Sequence, residues 1–369
     1  MSEYQYYEFQ AIDKPLTEAE QEKISSLSSR VELTAMRAKF VYNYSDFPEN
    51  AEKILAQYFD AMLYVTNWGT RQLMFRLPKS VVNIDELAPY CISDIISTHI
   101  VNNHVILNIH FQYEGGGGTW VEGEDWLPSL ALLRRDILRG DLRVLYLAWL
   151  GAAVEYGDDE NQLEPPIPAN LNTLSAPLKD FVNLFEIAQY LVKVAASNST
   201  IRQTDSVLLT LEKWVEKLPV AERNHFLVQL AKGETNIDIQ LLNRLRELAT
   251  DQSTQPPVKQ RTVATLIKSQ QEEIERVEKK QRKADEKAKK KELESLKLKE
   301  SQTWEDIFQL IERKQAKPYD EAVALLVKLR ELAEYLGKMD EFKDRMAHIY
   351  KEYNRRPALI RRLLKVGLK

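Results

Sequence analysis

Three of the five histidines, His99, His104 and His110, lie within one short stretch, and imidazole is a common zinc ligand. The intervening Asn102-Asn103 reads as a two-residue hairpin turn. Such a turn sets His99 opposite Ile106 and diagonal to His104, with His110 further along the same face. No cysteine or aspartate nearby completes a tetrahedral set, so a solvated strand face accounts for the three better than a metal centre. Gly115–Gly118 would suit a phosphate cradle only if a helix N-terminus, usually with Lys, came directly after it. The next residues are instead Thr119-Trp-Val-Glu-Gly-Glu-Asp125, whose three carboxylates repel phosphate. The run reads as a hairpin loop. Glu122, Glu124 and Asp125, with Glu114 close by, could tune one another as paired catalytic carboxylates do, but a solvated acidic loop is the simpler account. Trp68, Trp120, Trp126 and Trp149 sit in or beside apolar stretches and read as core. No Ser/His/Asp or Cys/His set has a suitable context. The sequence names no catalytic residue, no metal site and no cofactor.

One charged constellation stands out. Arg276, Lys279, Lys280, Arg282, Lys283, Lys287, Lys289, Lys290 and Lys291 face only Glu278, Asp285 and Glu286, a net +6 over 276–291. A strip of this kind can neutralise phosphates, which makes it the candidate nucleic-acid site. It contains no aromatic residue on which bases could stack, and a solvated helix face is the competing account.

The elements that carry these residues divide the chain. About 262–300 contains no Gly and no Pro and consists almost wholly of strong helix formers, so it predicts one long charged spacer helix. Thirty-eight residues of helix span about 57 Å. Val263, Ile267, Ile274 and Val277 form a short coiled-coil-like apolar seam that fades at Ala284 and Ala288.

Before this helix, 1–125 reads as α+β. Tyr4 to Ile12 alternates as a half-buried strand does. Thr17 and Glu20 make a capping box. Val31 to Tyr44 holds one or two strands, and Asp46-Phe-Pro-Glu49 opens a helix bearing Ile54, Leu55, Tyr58 and Phe59. Ala61–Thr66 and Arg71–Leu77 flank a turn. Around Asn102-Asn103, Ile96, Ile100, Val105, Leu107, Ile109 and Phe111 share one face, and Ser97, His99, His104, Asn108 and His110 the other.

From 126 to 250 the spacing is helical, with helices over Leu127–Arg139, Leu142–Glu155 and about 178–196, 205–217, 220–231 and 236–249. Gly140-Asp141 stops one helix and caps the next. A linker with Pro256-Pro257 covers 251–261. After Ser301 come Trp304–Arg313, Asp320–Leu336 and Glu341–Asn354, then a short helix past Pro357. The middle pair looks like a single tetratricopeptide-type hairpin turning at Gly337, and no period repeats three times.

Length, 44% hydrophobic and 29% charged residues fit a multi-domain globular protein. The single cysteine, Cys91, excludes an intrachain disulfide or a cysteine zinc site and reads as a buried, inert thiol. The opening residues predict no secretory signal, and the longest apolar run, Val144–Val154, is too short to span a bilayer, so the cytoplasm and no membrane partner are expected. Charge is split: 22 Lys+Arg and 35 Asp+Glu over 1–258, 14 and 9 over 259–300, and 15 and 11 over 301–369. The nets of −13, +5 and +4 sum to the chain's −4. An acidic body and a basic tail point to self-association or an anionic partner.

YQYYEFQAID (Tyr4–Asp13), NWGTRQLMFRLP (Asn67–Pro78) and GEDWLPSLALLRRDILRGDLRVLYLAWL (Gly123–Leu150), with the tail segment Pro318–Leu326, resemble a family of uncharacterised bacterial proteins. The resemblance covers most of the chain. It implies a setting beside proteins with SWIM-type zinc fingers, and it carries over no catalytic residue. The expectation is an α+β domain, an all-α domain, a long charged spacer helix and a small helical tail. The expected function is that of a non-catalytic adaptor or assembly protein binding partner proteins, or a second copy, through the tail; the alternative is a nucleic-acid-associated factor. An enzyme built on the acidic loop or the histidine hairpin ranks last.

Overall fold

A computed structural model describes residues 3–113, 121–157, 159–201, 204–250 and 260–368. The glycine run, Glu114, Trp120 and all but the last two residues of the 251–261 linker fall outside the described residues. The chain forms two compact units, Met1–Glu273 and Ile274–Lys369.

The first unit is built on a seven-stranded antiparallel sheet. Its strands are β1 (Gln5–Gln10), β2 (Glu32–Leu33), β3 (Arg37–Tyr42), β4 (Ala61–Thr66), β5 (Thr70–Pro78), β6 (Ile96–Val101) and β7 (His104–Gln112), in spatial order β2-β3-β1-β4-β5-β7-β6. Two helices, α1 (Glu18–Ser25) and α2 (Ala51–Tyr58), accompany one face. Ile24, Ile54, Leu55 and Phe59 bury there against Tyr7, Phe9, Phe40 and Met62. Thr17 and Glu20 close their capping box. Helix α2 starts at its N-cap Asn50 rather than at Asp46, because Phe47 is drawn into the aromatic cluster and stacks on Tyr7 with ring centroids 4.9 Å apart.

The other face carries the larger core. Leu63, Leu73, Phe75, Leu107, Ile109 and Phe111 pack against helices that come after the sheet in sequence. After α3 (Ile84–Leu87) these are α4 (Leu127–Leu130), α5 (Leu132–Leu138), α6 (Arg143–Glu155), α7 (Ala176–Leu184) and α8 (Gln189–Ala196). Helix α6 is nearly apolar all round and buries nine side chains, Trp149 among them. The expected helix over 178–196 is two helices. Glu186 takes a φ of 48° between them, and its carboxylate meets the buried Arg71 at 2.9 Å. Helices α9 (Thr204–Lys217), α10 (Val220–Ala231) and α11 (Ile237–Thr250) complete the unit, with the first turns of α12 (Val263–Leu298).

Strand β1 is central, between β3 and β4. It is therefore buried on both faces rather than half-buried, down to Glu8, which has no exposed surface. Tyr7 and Phe9 join the core under α1 and α2, while Tyr6 and Glu8 are buried on the opposite face.

Helix α12 is unbroken, as its composition predicts. Its N-terminal end is clamped within the first unit: Glu164 receives Arg261 Nε at 2.8 Å and Nη2 at 2.7 Å, and the Tyr146 hydroxyl donates to the same carboxylate. The expected seam is only partly used. Val263 is buried beside Leu266, whereas Ile267 is 38% exposed.

The second unit holds the rest of α12 with α13 (Glu300–Glu312), α14 (Ala316–Leu336), α15 (Met339–Glu352) and α16 (Pro357–Lys365). Leu293, Trp304, Ile307, Ile311, Leu326, Phe342, Ile349, Leu359 and Leu363 form its separate core. Gly337 ends α14 with a φ of 69°, a left-handed turn for which glycine carries no side-chain penalty.

Candidate functional site

The nine cations of the basic strip lie on the second unit's part of α12. Every residue from 278 to 292 is exposed. At about 100° per residue, Arg276, Lys280, Lys283, Lys287, Lys290 and Lys291 share one side of the helix, with Lys279 at its margin. Glu278 and Asp285 lie nearly opposite. Arg282 and Lys289 lie round towards that acidic side, where Leu293 and Leu296 pack into the tail core. Lys289 meets Glu331 of α14 at 3.4 Å, and Glu292 meets Lys328 at 2.9 Å. Helical winding thus turns a charge-rich sequence into a one-sided basic stripe about 22 Å long, a grouping that a plain count of charges does not display.

The hairpin has the expected register. His99 stands opposite Ile106 and Val101 opposite His104, while His110 lies opposite Gln72 on β5. The histidines do not converge. His99 Nε2 meets Glu52 Oε1 at 2.8 Å. Burial, then the nearby Arg76 charge, holds His104 below the ordinary imidazole value, and burial alone does so for His110. Among the described residues, no group of three or more His, Cys, Asp or Glu is placed to hold a metal.

The described members of the acidic loop are structural anchors. Gly123 lies so close to the Tyr6 ring that a Cβ there would come within 2.2 Å of it. Glu124 meets Lys39 at 2.9 Å, whose hydrogen bond and charge hold its carboxyl below the usual range. The Trp126 indole donates to the Glu122 carbonyl. Cys91 is half-buried and free. Burial pushes its thiol up, which disfavours the reactive thiolate.

Two charged clusters that sequence spacing does not reveal lie inside the sheet unit. Asp60 accepts from Ile12 N at 2.6 Å, Asp13 N at 2.9 Å and Arg76 Nη2 at 2.9 Å. Arg134 forks onto Asp13 at 2.9 and 2.7 Å and donates to the Arg76 carbonyl. Burial by itself would raise the Asp60 carboxyl, but Arg134, Arg76 and the two amides outweigh it and hold it low. At Glu8 the balance falls the other way. Burial dominates the Tyr6 hydroxyl (2.7 Å) and Arg37 (2.6 Å) and raises the carboxyl. Both clusters are closed by protein groups and serve the fold.

A surface groove on the tail was also invisible to spacing. Val323, Ala324 and Val327 of α14 and Val366 beyond α16 form its floor. Arg361, Arg362 and Lys365 rim it, and its volume is about 500 Å³. A signal for it does exist in composition: residues 345–369 carry eight Lys or Arg and a single acidic residue, Glu352.

No family model, no curated protein and no solved structure matches this chain. Among the described residues, no helix is long and apolar enough to cross a membrane.

Proposed function

We propose that the protein is a non-catalytic adaptor or assembly protein, working in the cytoplasm, that captures partner proteins or a second copy of itself through its helical tail. The observation that carries this reading is the tail's own closed core, from Leu293 to Leu368, in a unit distinct from the sheet-bearing one. A module that folds on its own resources can offer its outer helix faces for binding. The charge split between 1–258 and the tail favours acidic partners, this chain's own body included.

The test is affinity capture from the host with the full chain and with a chain lacking 301–369. Partners should be retained by the first and lost by the second. Retention of the same partners without the tail would move the docking surface to the acidic body.

The one-sided stripe on α12 favours a second reading, sequence-independent binding of nucleic acid. Phosphate neutralisation makes such binding fall steeply with salt, by close to one power of salt concentration per contacted phosphate on a duplex. Replacing Lys279, Lys280, Arg282 and Lys283 with Glu should abolish retention on duplex DNA at low salt. A wild-type protein that is not retained on single- or double-stranded nucleic acid at low salt ends this reading.

A further inference from the structure

We propose that the groove between α14 and α16 binds an acidic amphipathic segment of a partner protein. The inference rests on the tail being the docking module, and it assigns the docking face and the chemistry of what occupies it. Helix α16 is amphipathic: Leu359 and Leu363 are fully buried, while Arg361 and Lys365 stand exposed. The end of the helix is held in place, because the Tyr350 hydroxyl donates to the Leu368 carbonyl at 2.5 Å and Arg330 Nη1 to the Val366 carbonyl at 3.4 Å. The groove is thus formed before anything binds, which lowers the ordering cost of association.

Its chemistry selects the occupant. The rim presents three cations, and the one carboxylate in the lining, Asp320, is already engaged by Arg362 Nε at 2.7 Å. Arg361 and Lys365 are left to meet incoming carboxylates. The floor is aliphatic, so the occupant must also bring apolar side chains to cover it. A nucleic acid meets the first requirement and not the second. It binds through phosphates and through bases stacked on aromatic rings, and no aromatic residue lines this groove. A protein segment with carboxylates on one side and aliphatic side chains on the other satisfies both.

The experiment uses the full-length protein and three fluorescein-labelled probes. One is a synthetic helix of about four turns with Leu on one face and Glu on the other. The second is an all-Glu peptide of the same length, and the third an oligothymidylate. Anisotropy should show the amphipathic helix binding at least about tenfold more tightly than either control. R361E/K365E and, separately, A324E should each weaken it by at least about tenfold. All three positions are exposed, and unchanged thermal melts would confirm that the variants fold. Equal binding of the all-Glu peptide or the oligonucleotide that R361E/K365E also abolishes would make the groove a general polyanion surface and overturn the assignment, whereas polyanion binding unchanged in that variant belongs to the stripe on α12. So would no binding of the amphipathic helix, or none of the expected loss in the variants. Capture from the host separates this from the adaptor reading. If removing 301–369 abolishes capture while R361E/K365E does not, the tail docks partners by another face.

Discussion

Asp60 and Glu8 are both buried carboxylates on one sheet, and they have opposite consequences for stability. Asp60 is matched by two guanidinium groups and two amides. Removing one partner of a buried pair leaves an uncompensated charge, so R134A should cost about 3–5 kcal/mol in urea unfolding of the sheet unit. Because the Asp60 carboxyl is held low, its stabilisation is present above the unfolded-state value and is lost as pH falls through the lower folded one. Glu8 has the opposite sign. Its carboxyl is raised, so the folded state holds the proton more tightly, and stability falls as pH rises through the window above the unfolded-state value. E8Q removes that penalty while leaving an amide oxygen for the Tyr6 hydroxyl. It should raise the urea midpoint at pH 7.5, with the advantage vanishing at pH values below the ordinary carboxyl range. A lower midpoint for E8Q at neutral pH would show that the Arg37 contact outweighs desolvation.

At the scale of elements, helix α12 and the Gly123 turn respond to substitution for different reasons. The middle of α12 is exposed on all sides over 278–288, so backbone propensity holds it without tertiary packing. Ala284→Gly together with Ala288→Gly should cost the helix about 2 kcal/mol. Amide exchange across this stretch should accelerate while exchange in the cores of the two units stays unchanged. Exchange in the middle of α12 that does not respond would mean that contacts other than its own hydrogen bonds protect it. Gly123 is a matter of space. A methyl group there collides with the Tyr6 ring, and G123A should destabilise the sheet unit by about 1–3 kcal/mol, read as a drop in melting temperature. Single exposed positions such as Arg361 should change stability by no more than about 0.5 kcal/mol.

Over the whole molecule, two units with separate cores imply two sources of cooperativity. Ile349 is fully buried in the tail core. I349A should lower the tail's stability by about 2–5 kcal/mol while the transition of the sheet-bearing unit, tracked by amide exchange in α6, keeps its midpoint. Coincident shifts would show the chain unfolding as one body.

Local features were legible in residue order because their causes are local. The Thr17 capping box, the Asn102-Asn103 turn with His99 opposite Ile106, the Gly337 stop and the unbroken α12 each depend on a few neighbouring residues and on the hydrogen bonds they make. The register of β6 and β7 comes from turn length and a period of two. Tertiary structure alone decided what lies between elements distant in sequence. It put β1 between β3 and β4, inside the sheet, and so buried Glu8, and it brought Asp13, Asp60, Arg76 and Arg134 into one cluster. It split the helix at Glu186, and it used Leu266 rather than Ile267 beside Val263 as a core contact of α12. The same holds for the candidate surfaces. The cations of α12 were visible as composition, and helical winding gathered most of them on one side. The groove on the tail needed residues of α14 and α16 such as Asp320 and Arg362, 42 positions apart in sequence, to lie side by side. Charge and propensity belong to residues and can be read one at a time, whereas burial and concavity arise only when distant segments exclude water together.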